Sequence, residues 1–457
     1  MIERARLRMI LAMSAPISLS LLIQNLTMLG NAAMMGRLGV AALAGVGLGA
    51  TIYTILAALL FGLDTGVQAL VARQRGEGLA HLNDQVLTDA VTLSAGLGLV
   101  LTVAAMTLAP QLLTLIAPDP EVARHGAAFL VAVAPALLLV GALYGFGAFW
   151  NGSGKPRYPF LVTLVQVPCT LGVGAVLIFG LFGAPALGAW GAGVAAVVGA
   201  VVAIALHVVL LARHSHLRGF LSRRPSLVGM LAILRIGTPI SLQQSFLHVG
   251  TATYYFIIGL MGAEYVAIQN VFIGIDHLAI LPAIGAGIAA ATFVGYSLGG
   301  SDPAGARRWG WDVARVATVL TVPVATVLFL FPERILAFFI PDPATVALAV
   351  WPARFLALSM CIDTFGRVLG FGLRGAAATR TVATVNFVMQ WFVQLPAAFL
   401  IGIVMQQGLT GIAAGRVVLL SVECLIIVLI WRSGSWSKPR PTLAPTVPAP
   451  APQKAAA

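Results

Sequence analysis

Long hydrophobic runs dominate this chain and are separated by short polar segments. A run of about 20 apolar residues, folded as an α-helix, spans the hydrocarbon core of a bilayer. Such runs lie near residues 10–35, 45–72, 85–115, 124–149, 159–181, 187–212, 229–259, 265–298, 312–331, 345–373, 381–405 and 409–431. The pattern therefore predicts an all-α integral membrane protein with twelve transmembrane helices.

Composition agrees with this pattern. Of 457 residues, 59% are hydrophobic and only 9% charged, whereas soluble proteins carry roughly 25% charged residues. The net charge of +12 does not indicate nucleic-acid binding, because the basic residues are scattered singly between hydrophobic runs. Cys169, Cys361 and Cys424 lie in apolar runs without metal-ligand spacing, so we expect no metal site, no disulfide framework and no cofactor.

The distribution of Lys and Arg predicts the orientation of the chain. With the N-terminus in the cytoplasm, most of the 27 basic residues fall in cytoplasmic segments or at helix ends, and only Arg37, Arg124 and Arg334 fall on the other side. The positive-inside rule then places both termini in the cytoplasm. We expect a multi-pass protein of the plasma (inner) membrane.

An internal repeat divides the chain into two halves. Residues 16–19 (PISL) recur as 239–242, and residues 118–120 (PDP) recur as 341–343, each 223 residues apart. Two six-helix lobes are therefore expected, related by a pseudo-twofold axis along the membrane normal. The predicted divisions are a first lobe, a solvated cytoplasmic linker, a second lobe and a disordered Pro/Ala-rich tail, at 1–213, 214–228, 229–431 and 432–457.

Several motifs resemble those of the multidrug and toxic compound extrusion (MATE) family, and closest is its DinF-like branch. They include residues 35–39 (MGRLG), 152–157 (GSGKPR), 270–276 with 281–282, and 372–375 (GLRG). The resemblance covers residues 8–431. It implies cation-coupled export of amphipathic, often cationic, organic molecules through a V-shaped cavity between two lobes. It also implies two departures: Asn31 stands where many members carry an acid in helix one, and Leu247 stands where sodium-coupled members carry a glutamate in helix seven.

Ionisable groups at bilayer depth are costly unless they face a cavity or a partner, so they are functional candidates. Asp276, at a position commonly acidic in the DinF-like branch, Asp363 and His248 are the predicted coupling-ion residues, and we expect them to converge in the second lobe. The alternative for Asp363 is a simple ion pair with Arg367, four residues on. Asp64 reads as a gate or salt-bridge residue, and Glu423 as a partner of Arg416.

Amide side chains recur at helical spacing in both lobes. Such stripes either line a cavity or join neighbouring helices. The predicted substrate-binding residues are Gln24, Asn31, Gln68, Gln244, Asn386 and Gln390.

No nucleotide-binding motif is present in the sequence, so transport must be driven by an ion gradient, and no enzymatic activity is expected. The first hypothesis is a monomeric antiporter in the lipid bilayer that exchanges small organic cations for H⁺ or Na⁺. The alternative is a flippase for lipid-linked precursors, which should carry several basic residues deep in its cavity. A membrane scaffold or receptor ranks last, because the loops are short.

Overall fold

The computed structural model describes residues 3–117, 119–214 and 216–437, which fold almost entirely into helices. In those ranges the α-helices are α1 Arg4–Leu38, α2 Val40–Gly76, α3 Asn83–Ile116, α4 Pro120–Val133, α5 Pro135–Gly152, α6 Arg157–Phe179, α7 Ala189–Arg213, α8 His216–Ser222, α9 Leu227–Gly259, α10 Ala263–Gly299, α11 Pro303–Leu330, α12 Pro332–Phe339, α13 Pro343–Gly375, α14 Thr379–Val388, α15 Leu395–Phe399 and α16 Gly408–Ser433. Two π-helical segments, Met389–Gln394 and Leu400–Val404, join α14 and α15 into one membrane span.

Twelve membrane spans result from these helices. Ten spans in the described residues are each long and apolar enough to cross a bilayer, and α4 with α5 forms another that is bent by 50°. The bend lies where Pro135 opens α5, since proline cannot donate a backbone hydrogen bond to the preceding turn. The twelfth span is α9, which has 33 residues and packs along α2. Polar side chains on α9, including Gln243, Gln244 and His248, make it less apolar than the others.

Equivalent elements recur in the two lobes, α1–α7 and α9–α16. Helices α2 and α10 begin and end 223 residues apart, and each follows a glycine with positive φ, Gly39 at 122° and Gly262 at 139°. Glycine is favoured there because a side chain is strained in that region of φ. Asp119 and Asp342, from the two copies of the PDP motif, cap the N-termini of α4 and α13.

Both chain ends lie on one side of the membrane, which we call the terminal face. Ile10 of α1 packs in one hydrophobic cluster with Trp431 and Trp436. The other side is the opposite face. Because α16 continues to Ser433 and Trp436 stacks on Trp431 at 4.3 Å between ring centroids, the start of the predicted disordered tail is ordered. Residues 438–457 of that tail lie outside the described residues.

The linker between the lobes is docked rather than solvated along its length. It contains the short helix α8, whose His216 Nδ1 lies 2.9 Å from Asp84 Oδ1. The buried Asp89 carboxylate accepts a hydrogen bond of 2.7 Å from the backbone N–H of Ser226, which caps α9. The apolar sequence pattern did not show these contacts, because they depend on acids of α3 that are distant in sequence.

Candidate functional site

The two lobes meet along the half of the membrane nearer the terminal face. Gly62 and Gly66 of α2 pack on Gly237 and Ile233 of α9, so closely that a Cβ at Gly62 would collide with the Gly237 carbonyl. The Gly62 N–H also donates a hydrogen bond of 3.1 Å to Ser241 Oγ. Glycine permits this approach of two helix backbones. The lobes are therefore closed against each other at the terminal face.

A cavity of about 180 Å³ lies between the lobes, directly on the opposite-face side of that contact. It is lined by Tyr53, Thr54, Ala57, Ala58 and Phe61 of α2, Val140 and Tyr144 of α5, and Gln244 and His248 of α9. The rings of Phe61 and Tyr144 pack edge to face, with centroids 5.6 Å apart. Aromatic faces with a few polar groups are typical of sites for small organic molecules.

Predicted residues Gln244 and His248 thus line this cavity, one helical turn apart on α9. The structure does not bring His248 to the predicted carboxylates, because no charged group of the described residues acts on its imidazole. His248 instead faces the aromatic side chains of the first lobe across the cavity. Its expected convergence with Asp276 and Asp363 is therefore not seen, since these acids lie deeper in the second lobe.

The second lobe contains a network of charged side chains. Asp363 accepts a hydrogen bond of 2.7 Å from Arg367 on the same helix, and Asp276 lies 3.5 Å from Arg416. Each guanidinium interacts electrostatically with both aspartates. The two predicted carboxylates are thus brought together, although each has an arginine partner. The expectation that Glu423 pairs with Arg416 is wrong, because Arg416 has Asp276 as its ion-pair partner.

Glu423 is the third acid of this network. Its carboxylate accepts a hydrogen bond of 2.9 Å from Gln394, a neutral amide, and it interacts electrostatically with Asp363 and Arg367. With every group ionised, three carboxylates face two guanidinium groups, which leaves one negative charge. The sequence could not identify this excess, because the five side chains come from three different helices.

The amide stripe of the eleventh span joins helices. Gln390 donates a hydrogen bond of 3.2 Å to the Leu247 carbonyl of α9, and Gln394 reaches Glu423 of α16. Both lie in the π-helical segment Met389–Gln394, and π-helical turns occur frequently at functional sites. Asn386 lies one turn before Gln390 and is partly buried. Gln390 therefore lies beside the α9 turn that carries His248.

The first-lobe amides occupy three different environments. Gln24 is exposed on α1, whereas Asn31 is partly buried and its Oδ1 atom has no hydrogen-bond partner. Gln68 is 4% exposed and lies inside the contact between the lobes, where it donates hydrogen bonds to the Ile288 carbonyl and to Thr292 of α10. In this conformation Gln68 therefore joins the two lobes and does not line the cavity.

Comparison with known proteins gives consistent results. The MatE family model matches residues 16–176 and 239–400, two segments that begin 223 residues apart. A protein of Thermotoga maritima named probable multidrug resistance protein NorM is 26% identical over 423 residues, covering 91% of this chain and 90% of the relative. Multidrug resistance protein NorM of Burkholderia vietnamiensis is 27% identical over 440 residues, covering 92% of each chain.

Solved structures share the fold. A MOP superfamily transporter from Pyrococcus furiosus superimposes with a TM-score of 0.86 at 19% identity, covering 94% of this chain and 96% of that one. An outward-facing multidrug resistance transporter of the same superfamily gives a TM-score of 0.81 at 20% identity, with coverages of 93% and 94%.

Proposed function

Because this chain belongs to the MATE family, we propose that it exports amphipathic, positively charged organic molecules in exchange for protons or sodium ions. The two lobes alternate between opening at the terminal face and opening at the opposite face. The positive-inside rule places the terminal face in the cytoplasm of the cell, with the protein in the plasma membrane. The relatives named as multidrug resistance proteins support this assignment.

The cavity between the lobes carries the proposal. It is bounded by elements of both lobes, so any motion of one lobe against the other changes its access. Its lining is aromatic, apolar and amide, with one imidazole and no Lys or Arg. This lining favours an organic cation over the diphosphate of a lipid-linked precursor, which requires basic residues.

Coupling to an ion gradient is assigned to the second-lobe network. Its excess of one carboxylate gives it a site for one cation at bilayer depth. Asp276 and Asp363 belong to that network, while His248, Gln244 and Gln390 lie where the cavity meets α9. Gln24, Asn31 and Asn386 remain predicted substrate contacts, and Gln68 reaches the substrate only when the lobes part.

The test is transport in proteoliposomes. The purified protein is reconstituted, and accumulation of a fluorescent organic cation, 10-methylacridinium, is followed under an imposed proton gradient and, separately, under an imposed sodium gradient. Accumulation above that of protein-free liposomes under one gradient is expected. Failure under both gradients, or movement of a lipid diphosphate instead, overturns the proposal.

A further inference from the structure

Asp64 lies on α2 between the cavity and the closed contact of the two lobes. It follows the cavity residue Phe61 by three positions and therefore shares its helix face. It is partly exposed, and Tyr144, also of the cavity wall, is within its electrostatic range. On the next turn, Gln68 is buried in the interface. The carboxylate thus lies at the base of the cavity.

Arg374 brings a positive charge to the same region from the second lobe. Its side chain belongs to α13, it is 8% exposed, and its buried Nε has no hydrogen-bond partner. The guanidinium lies 4.4 Å from the centroid of the Phe371 ring. Arg367 repels it, and Asp64 is the acid that attracts it. A buried charge is costly without an opposite charge, so Asp64 of one lobe compensates Arg374 of the other.

We infer that Asp64 binds the positive charge of the transported molecule, and that Arg374 is an internal cation that replaces it when the lobes close at the terminal face. This inference rests on the proposed function. The ligand is a flat aromatic monocation, because the carboxylate lies beneath the edge-to-face pair of Phe61 and Tyr144. Aromatic faces and a carboxylate together attract organic cations more strongly than either does alone.

The arrangement gives the exchange a direction. Opening at the terminal face moves α13 away from α2, because these helices belong to different lobes. Asp64 then loses the charge of Arg374 and is free to bind a cation that enters from that face. Closing returns Arg374 to Asp64, which weakens the bond to the substrate cation while the cavity lies on the opposite-face side of the contact.

Equilibrium fluorescence titration of the purified protein in nanodiscs tests this inference. The probes are 10-methylacridinium, a fixed cation, and acridine at a pH at which it is uncharged. Asp64→Asn should weaken methylacridinium binding by about ten-fold, the effect of losing one partly solvated charge pair, and leave acridine binding unchanged. Glu333→Gln, which removes an exposed acid of α12, is the matched control and should bind both probes like the unaltered protein.

Arg374→Gln tests the internal cation. It should tighten methylacridinium binding, and the Asp64→Asn, Arg374→Gln pair should behave like Asp64→Asn alone, since Arg374 acts through Asp64. Arg374→Lys retains the charge and should restore ordinary binding, which separates charge from packing.

Equal methylacridinium affinity in Asp64→Asn and the unaltered protein overturns the inference, as does an unaltered protein that binds neither probe. Failure of the proposed function is read separately, as absence of gradient-driven accumulation in proteoliposomes, whatever the titrations show.

Discussion

The side-chain amide of Gln68 donates a hydrogen bond of 2.8 Å to the hydroxyl of Thr292, which joins α2 of the first lobe to α10 of the second. The same amide donates to the Ile288 carbonyl at 2.7 Å, and Thr292 lies 3.2 Å from the Asn151 carbonyl of α5. These bonds are buried at the closed end of the molecule. They must break before the lobes can separate at the terminal face, so they contribute to the free-energy difference between the two conformations.

Gln68→Leu should shift the protein toward opening at the terminal face. A buried hydrogen bond contributes about 1 kcal/mol, so the ratio of closed to open molecules should fall about five-fold. Spin labels at His81 and Arg380, exposed at the terminal face in different lobes, would report the change by double electron–electron resonance. Thr292→Val should act in the same direction and less than additively with Gln68→Leu. Fully additive effects would show that the two side chains do not interact.

Gly62→Ala should hinder closing of the lobes, because the added methyl group meets the Gly237 carbonyl of α9. Overpacking of a rigid contact costs about 1–3 kcal/mol, so closed molecules should become roughly ten-fold rarer and transport should slow accordingly. Gly47→Ala is the matched control, since Gly47 lies on the same helix with nothing within 4 Å of its added Cβ. The same spin-label distances measure both variants, and equal distances in the two would contradict the role of Gly62.

Much of this fold follows from the sequence, because hydrophobic length and a constant repeat offset are properties of the chain itself. The twelve runs, the equivalence of Gly39 with Gly262 and the capping by Asp119 and Asp342 needed no tertiary information. The ion pair of Asp363 and Arg367 was also foreseeable, since a spacing of four places both on one helix face.

The site was less predictable, because its partners are far apart in the sequence. Arg416 belongs to Asp276 and Glu423 to Gln394, pairings that depend on how α10, α16 and the eleventh span pack. The intramembrane position of His248 gave no indication that it faces the other lobe. Gln68 resembled a cavity residue from its type and spacing alone, and only packing against α10 shows its place in the closed interface.

The cap of α13 should make the stability of the second lobe depend on pH in the acid range. Hydrogen bonds from the Thr345 side chain and backbone N–H, at 2.6 and 2.9 Å, lower the pKa of the Asp342 carboxyl below its ordinary value. A lowered pKa in the folded state means that the stabilisation is present above the pKa of the unfolded chain, about 3.9, and is lost as pH falls through the folded value. Asp342→Ala should lower the Tm at neutral pH and reduce its dependence on acid.

Thermal unfolding followed by differential scanning fluorimetry at several pH values measures this effect. Asp342→Asn is the control, because asparagine retains the cap but cannot titrate. If Asp342→Asn lost as much Tm at neutral pH as Asp342→Ala, the cap would depend on charge rather than on the hydrogen bonds to Thr345.

Glu423 should determine coupling, because it is the carboxylate of the second-lobe network whose direct partner is neutral. Asp363 is matched by Arg367 and Asp276 by Arg416, whereas Glu423 has Gln394. Glu423→Gln removes the single excess negative charge, so gradient-driven accumulation of 10-methylacridinium should fall about ten-fold or more. Asp363→Asn should have a similar effect, since it also brings the net charge of the network to zero.

The double variant Asp363→Asn, Arg367→Gln distinguishes net charge from the identity of Asp363. It removes one charge of each sign and leaves the excess carboxylate in place, so accumulation should return toward that of the unaltered protein. Exchange of labelled for unlabelled substrate without any gradient should continue in all three variants, which shows that they fold and alternate. A double variant as inactive as Asp363→Asn would assign the coupling cation to Asp363 itself, and full coupling in Glu423→Gln would remove Glu423 from the site.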